Sequence, residues 1–379
     1  MRYLGAVPVL VLASYNLLFF WKFYQNPYLN YTSEIATTFY PHWVWIGRTL
    51  RSLAPPIVDK IYFRYPAAIP FLSTFYLPHL VTSLTGSFRV LQYSILLHYL
   101  LGSYLAFTMF NQWVSVPVAL FGAITLTYAG YCIKIQQPCI AYTLAWIPGI
   151  FLGGWFGIFS MSMCFYAGYY PILVYLLPFL LLIHTKTVLL GALFALPQIV
   201  PFLWYYMKSV RWKVSAPSDK KFGRVPPSKL TELFLPTWPR THTNGVMFME
   251  MTMYIGLLPL VFMWGSDSRF WYVLLYGLMT VVGLLPALER IPARALYIVT
   301  LSIAVLATDG LSKLGLASTN LWAITLLQGY LLLFNRDIYP CFPFSQWWSK
   351  PGEIDMDYTG YLSGKSRHAY SGAFSLRDQ

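Results

Sequence analysis

Long apolar segments follow one another along this chain of 379 residues, and they restrict its fold more than any other feature. Hydrophobic residues make up 57% of the sequence and charged residues only 10%, whereas soluble domains carry about 25% charged residues. A helix needs roughly 20 apolar residues to cross a bilayer. By this length rule we count roughly eleven spans, at residues 4–21, 91–110, 114–132, 139–152, 155–168, 171–185, 187–207, 251–265, 270–288, 295–311 and 320–335. The sequence therefore predicts an all-α polytopic membrane protein.

Two long polar stretches interrupt the apolar segments, at residues 23–89 and 208–250. On our count six spans lie between them. Because six is even, both loops are predicted to emerge on the same side of the membrane. A polar tail at residues 336–379 follows the last span, so we divide the chain into a membrane domain at 1–335 and this tail.

The first loop contains a short segment with the spacing of an amphipathic helix. Pro41 suits the first position of a helix, and the apolar residues that follow it recur at helical intervals: Trp43, Ile46, Leu50 and Leu53. A helix of this kind lies flat on a membrane with its apolar face in the lipid. The alternative is an amphipathic helix buried within a small loop domain.

Charge and cysteine content exclude some classes of function. The net charge of +13 lies mostly in the loops, where basic residues meet anionic lipid head groups. No basic run interleaved with aromatic residues forms a nucleic-acid module, so we predict no nucleic-acid partner. The four cysteines are scattered without a CxxC pair, which argues against a zinc site or a disulfide framework.

A series of short motifs occurs in a fixed order along the chain. The first loop contains Glu34, Tyr40-Pro41, Arg48, Arg51, Pro55-Pro56, Asp59, Ile69-Pro70-Phe71 and Tyr76-Leu77-Pro78. Further motifs are Gln137-Pro138, Ala145-Trp146-Ile147-Pro148, Gly168-Tyr169-Tyr170-Pro171, Glu250 with Tyr254-Ile255-Gly256, and Arg290-Ile291-Pro292-Ala293-Arg294. In this order the motifs resemble the YfhO-like family of bacterial multi-pass membrane proteins, which belongs to the glycosyltransferases of the GT-C fold. The tail resembles the start of a soluble extension that is longer in other members.

This resemblance implies a GT-C-like helix bundle in the bacterial cytoplasmic (inner) membrane. The implied reaction is glycosyl transfer from a polyprenyl-phosphate-linked sugar to a cell-envelope glycan or lipid. In that fold the first loop lies on the extracytoplasmic face and holds the essential acid. The excess of Lys and Arg near short loops would instead place both basic loops in the cytoplasm. We adopt the orientation that the resemblance implies.

Transfer from a lipid phosphate requires a base that takes the proton of the acceptor hydroxyl. Glu34 is the predicted base, because it follows the first span closely, although an Asp is usual at this place in the family. Asp59 is either a second acid or a cap of a turn. Glu250 begins a span and either pairs with an arginine or takes part in the reaction.

The departing phosphate requires positive charge or hydrogen-bond donors. A guanidinium group offers paired donors to phosphate oxygens, so the candidate phosphate ligands are Arg48, Arg51, Arg64, Arg290 and Arg294. Gln137 and Glu250 complete the set of candidate substrate-binding residues. Taken alone, each arginine is more often an anchor at the membrane interface than a ligand. No spacing of oxygen ligands demands a divalent cation, and its involvement is left open.

Two ionisable residues fall within predicted spans, His98 and Asp309. Such residues are costly inside a membrane and are often functional, so a transporter or flippase of a lipid-linked saccharide would use them as a proton relay. The alternative is that both are hydrogen-bonded structural residues. A third hypothesis is a non-catalytic membrane scaffold, in which none of the acids matters.

Overall fold

A computed structural model describes residues 5–26, 40–52, 75–133, 137–208, 224–233, 253–285 and 292–335. These residues form helices and turns, and no strand occurs among them. Among the described residues, three helical segments are long and apolar enough to cross a membrane, at Phe88–Phe110, Tyr170–Phe194 and Pro292–Lys313. The predicted all-α class is confirmed for the described residues, and the three apolar helices agree with a membrane protein. The count of eleven spans stays a prediction. The polar tail lies outside the described residues.

The helices follow the apolar segments closely. Their bounds are α1 Ala6–Phe19, α2 Trp21–Gln25, α3 Tyr40–Arg51, α4 Leu77–Thr85, α5 Phe88–Phe110, α6 Val116–Tyr128, α7 Pro138–Ile150, α8 Gly154–Ala167, α9 Tyr170–Phe194, α10 Leu196–Lys208, α11 Leu257–Phe262, α12 Phe270–Val282, α13 Leu296–Lys313 and α14 Ser318–Phe334. Short 3₁₀ turns lie at Gly130–Cys132, Pro227–Leu233, Met263–Gly265 and Pro292–Ala295. Helices α6 and α13 form the centre of the core, where almost every side chain is buried.

Helix α9 is interrupted at His184, whose φ of −137° and ψ of 38° are not helical. Beyond this residue the chain runs back along α8. The hydroxyl of Ser162 donates to the carbonyl oxygen of Gly191 at 3.0 Å. The hydroxyl of Tyr166 donates to the carbonyl oxygen of Phe194 at 3.1 Å. The reversal lies close to the predicted boundary between the spans at 171–185 and 187–207.

The predicted span at 251–265 is only partly helical. Residues 253–256 have no helical structure, and α11 begins after Gly256. Gly256 has a φ of 94°, a conformation that residues with a Cβ rarely adopt, so α11 does not extend back through it. The prediction of a continuous helix here is therefore wrong.

The residues that precede the first polar loop and those that follow the second lie at one end of the bundle, which we name the loop-bearing end. The ring of Phe19, at the end of α1, lies 5.0 Å from that of Tyr128, at the end of α6. Two residues further on, the backbone N–H of Gly130 donates to the carbonyl oxygen of Tyr254 at 2.7 Å. Tyr254 follows the second loop, so the start of the first loop and the end of the second lie together.

The opposite end of the bundle carries a cluster of charged and hydroxyl side chains around Asp309. Its carboxylate accepts hydrogen bonds from the hydroxyl of Ser266 at 2.6 Å and from the ammonium of Lys313 at 2.8 Å. Lys313 also pairs with Asp267. These contacts tie α13 to the turn before α12, so Asp309 has the hydrogen-bonded structural role that was set against a proton relay.

Replacing Asp309 with Asn is expected to lower the free energy of unfolding by about 1 kcal/mol, because the ion pair is lost and the bond from Ser266 is kept. The ion pair between Lys313 and Asp267 adds a second effect, which depends on pH. Lys313 lowers the pKa of Asp267 by hydrogen bonding and charge. The stability that this pair contributes is therefore present above the ordinary Asp pKa and lost as the pH falls through the lowered value. Thermal unfolding at pH 7 and at about pH 3 measures both effects. An unchanged stability of the Asn variant at pH 7 would contradict the structural role.

Candidate functional site

Several residues of the predicted site lie outside the described residues: Glu34, Asp59, Arg64, Glu250 and Arg290. Arg48 lies within α3, and its side chain is outside the described part. Three predicted site residues are described in full, Arg51, Gln137 and Arg294. All three lie at the loop-bearing end, on α3, at the start of α7 and just before α13.

Helices α3 and α4 of the first loop pack directly against each other. Trp43 and Ile46, on the apolar face of α3, are 0% and 1% exposed. A Cβ atom at Gly47 would lie 1.6 Å from the backbone oxygen of Ser83 in α4, so the two backbones meet closely where α3 has no side chain. Protein covers the apolar face of α3. This favours the buried amphipathic helix and corrects the prediction that this face lies in the lipid.

Side chains of α3 also bond to the end of α4. The guanidinium of Arg51 donates to the carbonyl oxygen of Leu84 at 2.9 Å. The hydroxyl of Tyr40 donates to the carbonyl oxygen of Gly86 at 2.8 Å. Gly86 has a φ of 61° and closes α4 in the left-handed conformation. Arg51, predicted as a phosphate ligand, is exposed and uses one of its five N–H donors in this bond.

Tyr76, at the start of α4, connects the first loop to the bundle. The indole N–H of Trp146 in α7 donates to the hydroxyl oxygen of Tyr76 at 2.6 Å. The same hydroxyl lies 2.6 Å from Nε2 of His98 in α5. Tyr76 is 3% exposed, and this burial raises the pKa of its phenol, so the group stays a neutral donor. We name Tyr76, His98 and Trp146 the Tyr76 latch.

The directions of the hydrogen bonds in the latch follow from chemistry. Nδ1 of His98 lies 2.6 Å from the carbonyl oxygen of Ser94, and a carbonyl only accepts, so Nδ1 carries the proton. In the neutral imidazole Nε2 is then an acceptor, and Tyr76 donates to it. The chain of donors runs from Trp146 to Tyr76, from Tyr76 to His98, and from His98 to the backbone of α5.

Aromatic stacking extends the latch to α3. The ring of His79 in α4 stacks on Trp43 with centroids 4.0 Å apart and an interplanar angle of 24°. The ring of Tyr142 in α7 lies 4.7 Å from His79 and 4.1 Å from His98. Four helices, α3, α4, α5 and α7, therefore meet in one buried cluster. In the sequence, His98 and the Tyr76 motif are separate features, and no local pattern pairs them.

Arg294 and Gln137 lie on the side of the loop-bearing end formed by α7, α9 and α13. The guanidinium of Arg294 stands 5.4 Å from the centre of the Tyr169 ring, a cation–π contact. The backbone oxygen of Arg294 accepts from the hydroxyl of Tyr131 at 3.2 Å. Gln137 precedes the first residue of α7 and is 6% exposed. Arg294 is thus held in place by an aromatic ring as well as by its backbone.

An acid outside the predicted site is buried at the same end. Glu232 is 4% exposed and pairs with Lys229 at 3.2 Å within the turn Pro227–Leu233. The backbone N–H of Ile255 donates to the oxygen of Leu233 at 3.0 Å and fixes the turn against the bundle. Among the described residues, no three His, Cys, Asp or Glu side chains form a group that could hold a metal ion, and metal dependence stays open.

Comparison of the chain with models of protein families, with curated proteins and with solved structures finds no match.

Proposed function

We propose that this chain is a membrane glycosyltransferase of the GT-C type, working at its loop-bearing end. It would move a sugar from a polyprenyl phosphate to a cell-envelope glycan or lipid on the outer face of the bacterial cytoplasmic membrane. The observation that carries the proposal is the Tyr76 latch, which fastens the helices of the first loop into the bundle at the loop-bearing end. A loop that only joined two spans would need no such buried attachment.

The proposed chemistry divides the work between a carboxylate and guanidinium groups. Glu34 takes the proton from the acceptor hydroxyl, since a positioned carboxylate is a competent general base. Arg51 and Arg294 supply positive charge for the departing phosphate, together with Arg48, Arg64 and Arg290. Arg51 and Arg294 are each held in a fixed position, because Arg51 is bonded to α4 and Arg294 lies over the ring of Tyr169. A fixed donor costs no reorganisation when charge develops on the phosphate.

Replacing Glu34 with Gln tests the proposal directly. The amide keeps the size of the side chain and loses the ability to take a proton, so sugar transfer should fall by about 10²- to 10⁴-fold. The measurement is transfer from a radiolabelled polyprenyl-phosphate sugar to acceptors in membranes that contain the variant. Immunoblotting of those membranes should show an unchanged amount of protein.

The matched control is Asp267→Asn, an acid-to-amide change at an exposed position of the opposite end, which should leave transfer unchanged. Transfer by the Glu34 variant at the level of the parent would count against the assignment.

A transporter or flippase is less well supported, because both nitrogens of His98 are engaged and Asp309 is paired with Lys313 at the other end. A scaffold would show no transfer even before substitution.

A further inference from the structure

The outer face of α4 is apolar, and its inner face is polar. Leu77, Val81 and Leu84 are 68%, 43% and 44% exposed, and their spacing of four and three residues places them in one stripe along the helix. The face that packs against the protein carries His79 and Thr82, which are buried. A helix at the surface of a soluble domain shows the reverse arrangement, with apolar residues inward and polar residues outward. The exposed face of α4 therefore suits lipid rather than water.

Helix α4 runs back along the first half of α5. A short turn at residues 86–87 joins the two helices, and Tyr76 and His98 lie about equally far from it along the chain, each at roughly 15 Å for a rise of 1.5 Å per residue. If the helices were perpendicular, the backbones of these two residues would be about 20 Å apart, further than their side chains reach. Because the hydroxyl of Tyr76 lies 2.6 Å from Nε2 of His98, the two helices are closer to antiparallel.

This arrangement sets the depth of α4 in the membrane. Helix α5 is long and apolar enough to cross a bilayer. Its 23 residues extend over about 35 Å, and the hydrocarbon core is about 30 Å thick. His98 lies about 15 Å from the start of α5 and about 18 Å from its end, close to the middle of the span. The start of α4 therefore lies deep in the bilayer, and its end lies near the surface, where α5 begins.

The deep end of α4 has few unpaired backbone donors. Pro78, in the first turn, has no backbone N–H. The N–H of His79 donates to the carbonyl oxygen of Tyr76 at 2.9 Å. Hydrocarbon offers no partner to a free N–H, so this first turn suits a position below the membrane surface.

The shallow end of α4 is surrounded by polar and basic groups. The guanidinium of Arg51 donates to the carbonyl oxygen of Leu84, and Arg89, in the first turn of α5, is exposed. Basic side chains at the membrane surface meet anionic lipid head groups. The polarity around α4 thus increases from its start to its end, as the depth requires.

We propose that α4 is a re-entrant helix, which lies within one half of the bilayer on the loop-bearing side. Leu77 is at its deep end and Leu84 at the level of the head groups, and the stripe formed by Leu77, Val81 and Leu84 contacts the acyl chains of the bilayer. The first loop then meets lipid through α4, while α4 covers the apolar face of α3. This placement follows from burial and helix geometry and does not depend on the proposed glycosyl transfer.

Spin labels on single cysteines measure the depth of the stripe. Leu77→Cys, Val81→Cys and Leu84→Cys are each made in a chain in which Cys341 is replaced with Ser, because the other three cysteines are buried and should not react. Electron paramagnetic resonance in nanodiscs compares relaxation by oxygen, which concentrates in lipid, with relaxation by a nickel chelate, which stays in water. The label at position 77 should lie up to about 10 Å deeper than the label at position 84, because seven residues of helix rise by that amount.

Two control positions calibrate the measurement. Leu97→Cys is the lipid control, because Leu97 is exposed on α5 next to His98, and Asp267→Cys is the aqueous control, because Asp267 is exposed in a turn at the opposite end. The label at position 77 should resemble that at position 97.

Three results would overturn the proposal. Access of the nickel chelate to all three α4 labels, as at position 267, would place α4 in water. Equal depths at the head groups would mean that α4 lies flat on the membrane. Low access of both reagents would mean that another segment or a second copy of the chain covers the stripe.

Discussion

Replacing Tyr76 with Phe is expected to loosen α3 and α4 from the bundle while the bundle itself stays folded. The ring is kept, but the indole N–H of Trp146 and Nε2 of His98 both lose a hydrogen bond of 2.6 Å. Each buried group left unpaired costs about 1–3 kcal/mol, so the loss of both hydrogen bonds should weaken the attachment by roughly 2–6 kcal/mol. This corresponds to an increase of at least about 30-fold in hydrogen exchange of the amides in α3 and α4.

Hydrogen exchange followed by mass spectrometry of the protein in nanodiscs measures this effect helix by helix. Tyr99→Phe is the matched control, because the hydroxyl of Tyr99 donates to the carbonyl oxygen of Cys132 at 3.0 Å within the bundle. This control should leave exchange in α3 and α4 as it was. Unchanged exchange in the Tyr76 variant, or an equal rise in α6 and α13, would contradict the latch. If Glu34 acts as proposed, the loosened loop should also transfer sugar more slowly.

The helix in the first loop shows what residue spacing can predict and where it stops. Pro41 and the apolar residues Trp43, Ile46 and Leu50 predict a helix at this place, and α3 spans Tyr40–Arg51. Spacing identifies an apolar face and carries no information on what covers it. The cover is α4, more than 30 residues further along the chain. A lipid surface and a packed helix call for the same periodicity.

The latch depended on tertiary structure in the same way. His98 lies 22 residues after Tyr76 in the sequence, and Trp146 lies 70 residues after Tyr76. No local pattern relates such positions, because hydrogen-bond partners in a core are chosen by the packing of helices. The cost of an ionisable group inside a membrane leaves His98 either a structural residue or part of a relay. The identity of its partners required the structure.

One predicted span boundary lies close to a change of direction within an apolar stretch. The reversal at His184 falls near the boundary between the predicted spans at 171–185 and 187–207. Hydrophobic length failed at residues 251–265, because apolar residues suit a buried extended segment as well as a helix. There the backbone conformation of Gly256 decides where the helix begins. Gln328 of α14, which lies against Gly256, is again distant in the sequence.

Replacing Gly310 with Val is expected to destabilise the whole bundle. Gly310 lies in α13 against the end of α11, where a Cβ atom would be 1.9 Å from the backbone oxygen of Phe262. Gly265 faces it, with a Cβ position only 3.3 Å from the Cα of Gly310. Small residues let helices approach closely in membranes, where packing takes the place of the hydrophobic drive. Overpacking a well-packed core costs about 1–3 kcal/mol, and a clash with backbone, which cannot rotate away, should cost about 3 kcal/mol or more.

Thermal unfolding in nanodiscs should show a clear decrease in the Tm of the Gly310 variant. Gly5→Ala is the control, because no atom lies within 4 Å of a Cβ built at Gly5, and its φ of −64° suits any residue. An equal Tm for the two variants would mean that α13 and α11 are not in close contact. The clash lies at the opposite end of the molecule from the Tyr76 latch, so the exchange pattern should differ too. The Gly310 variant should lose protection in α11 and α13, and the Tyr76 variant in α3 and α4.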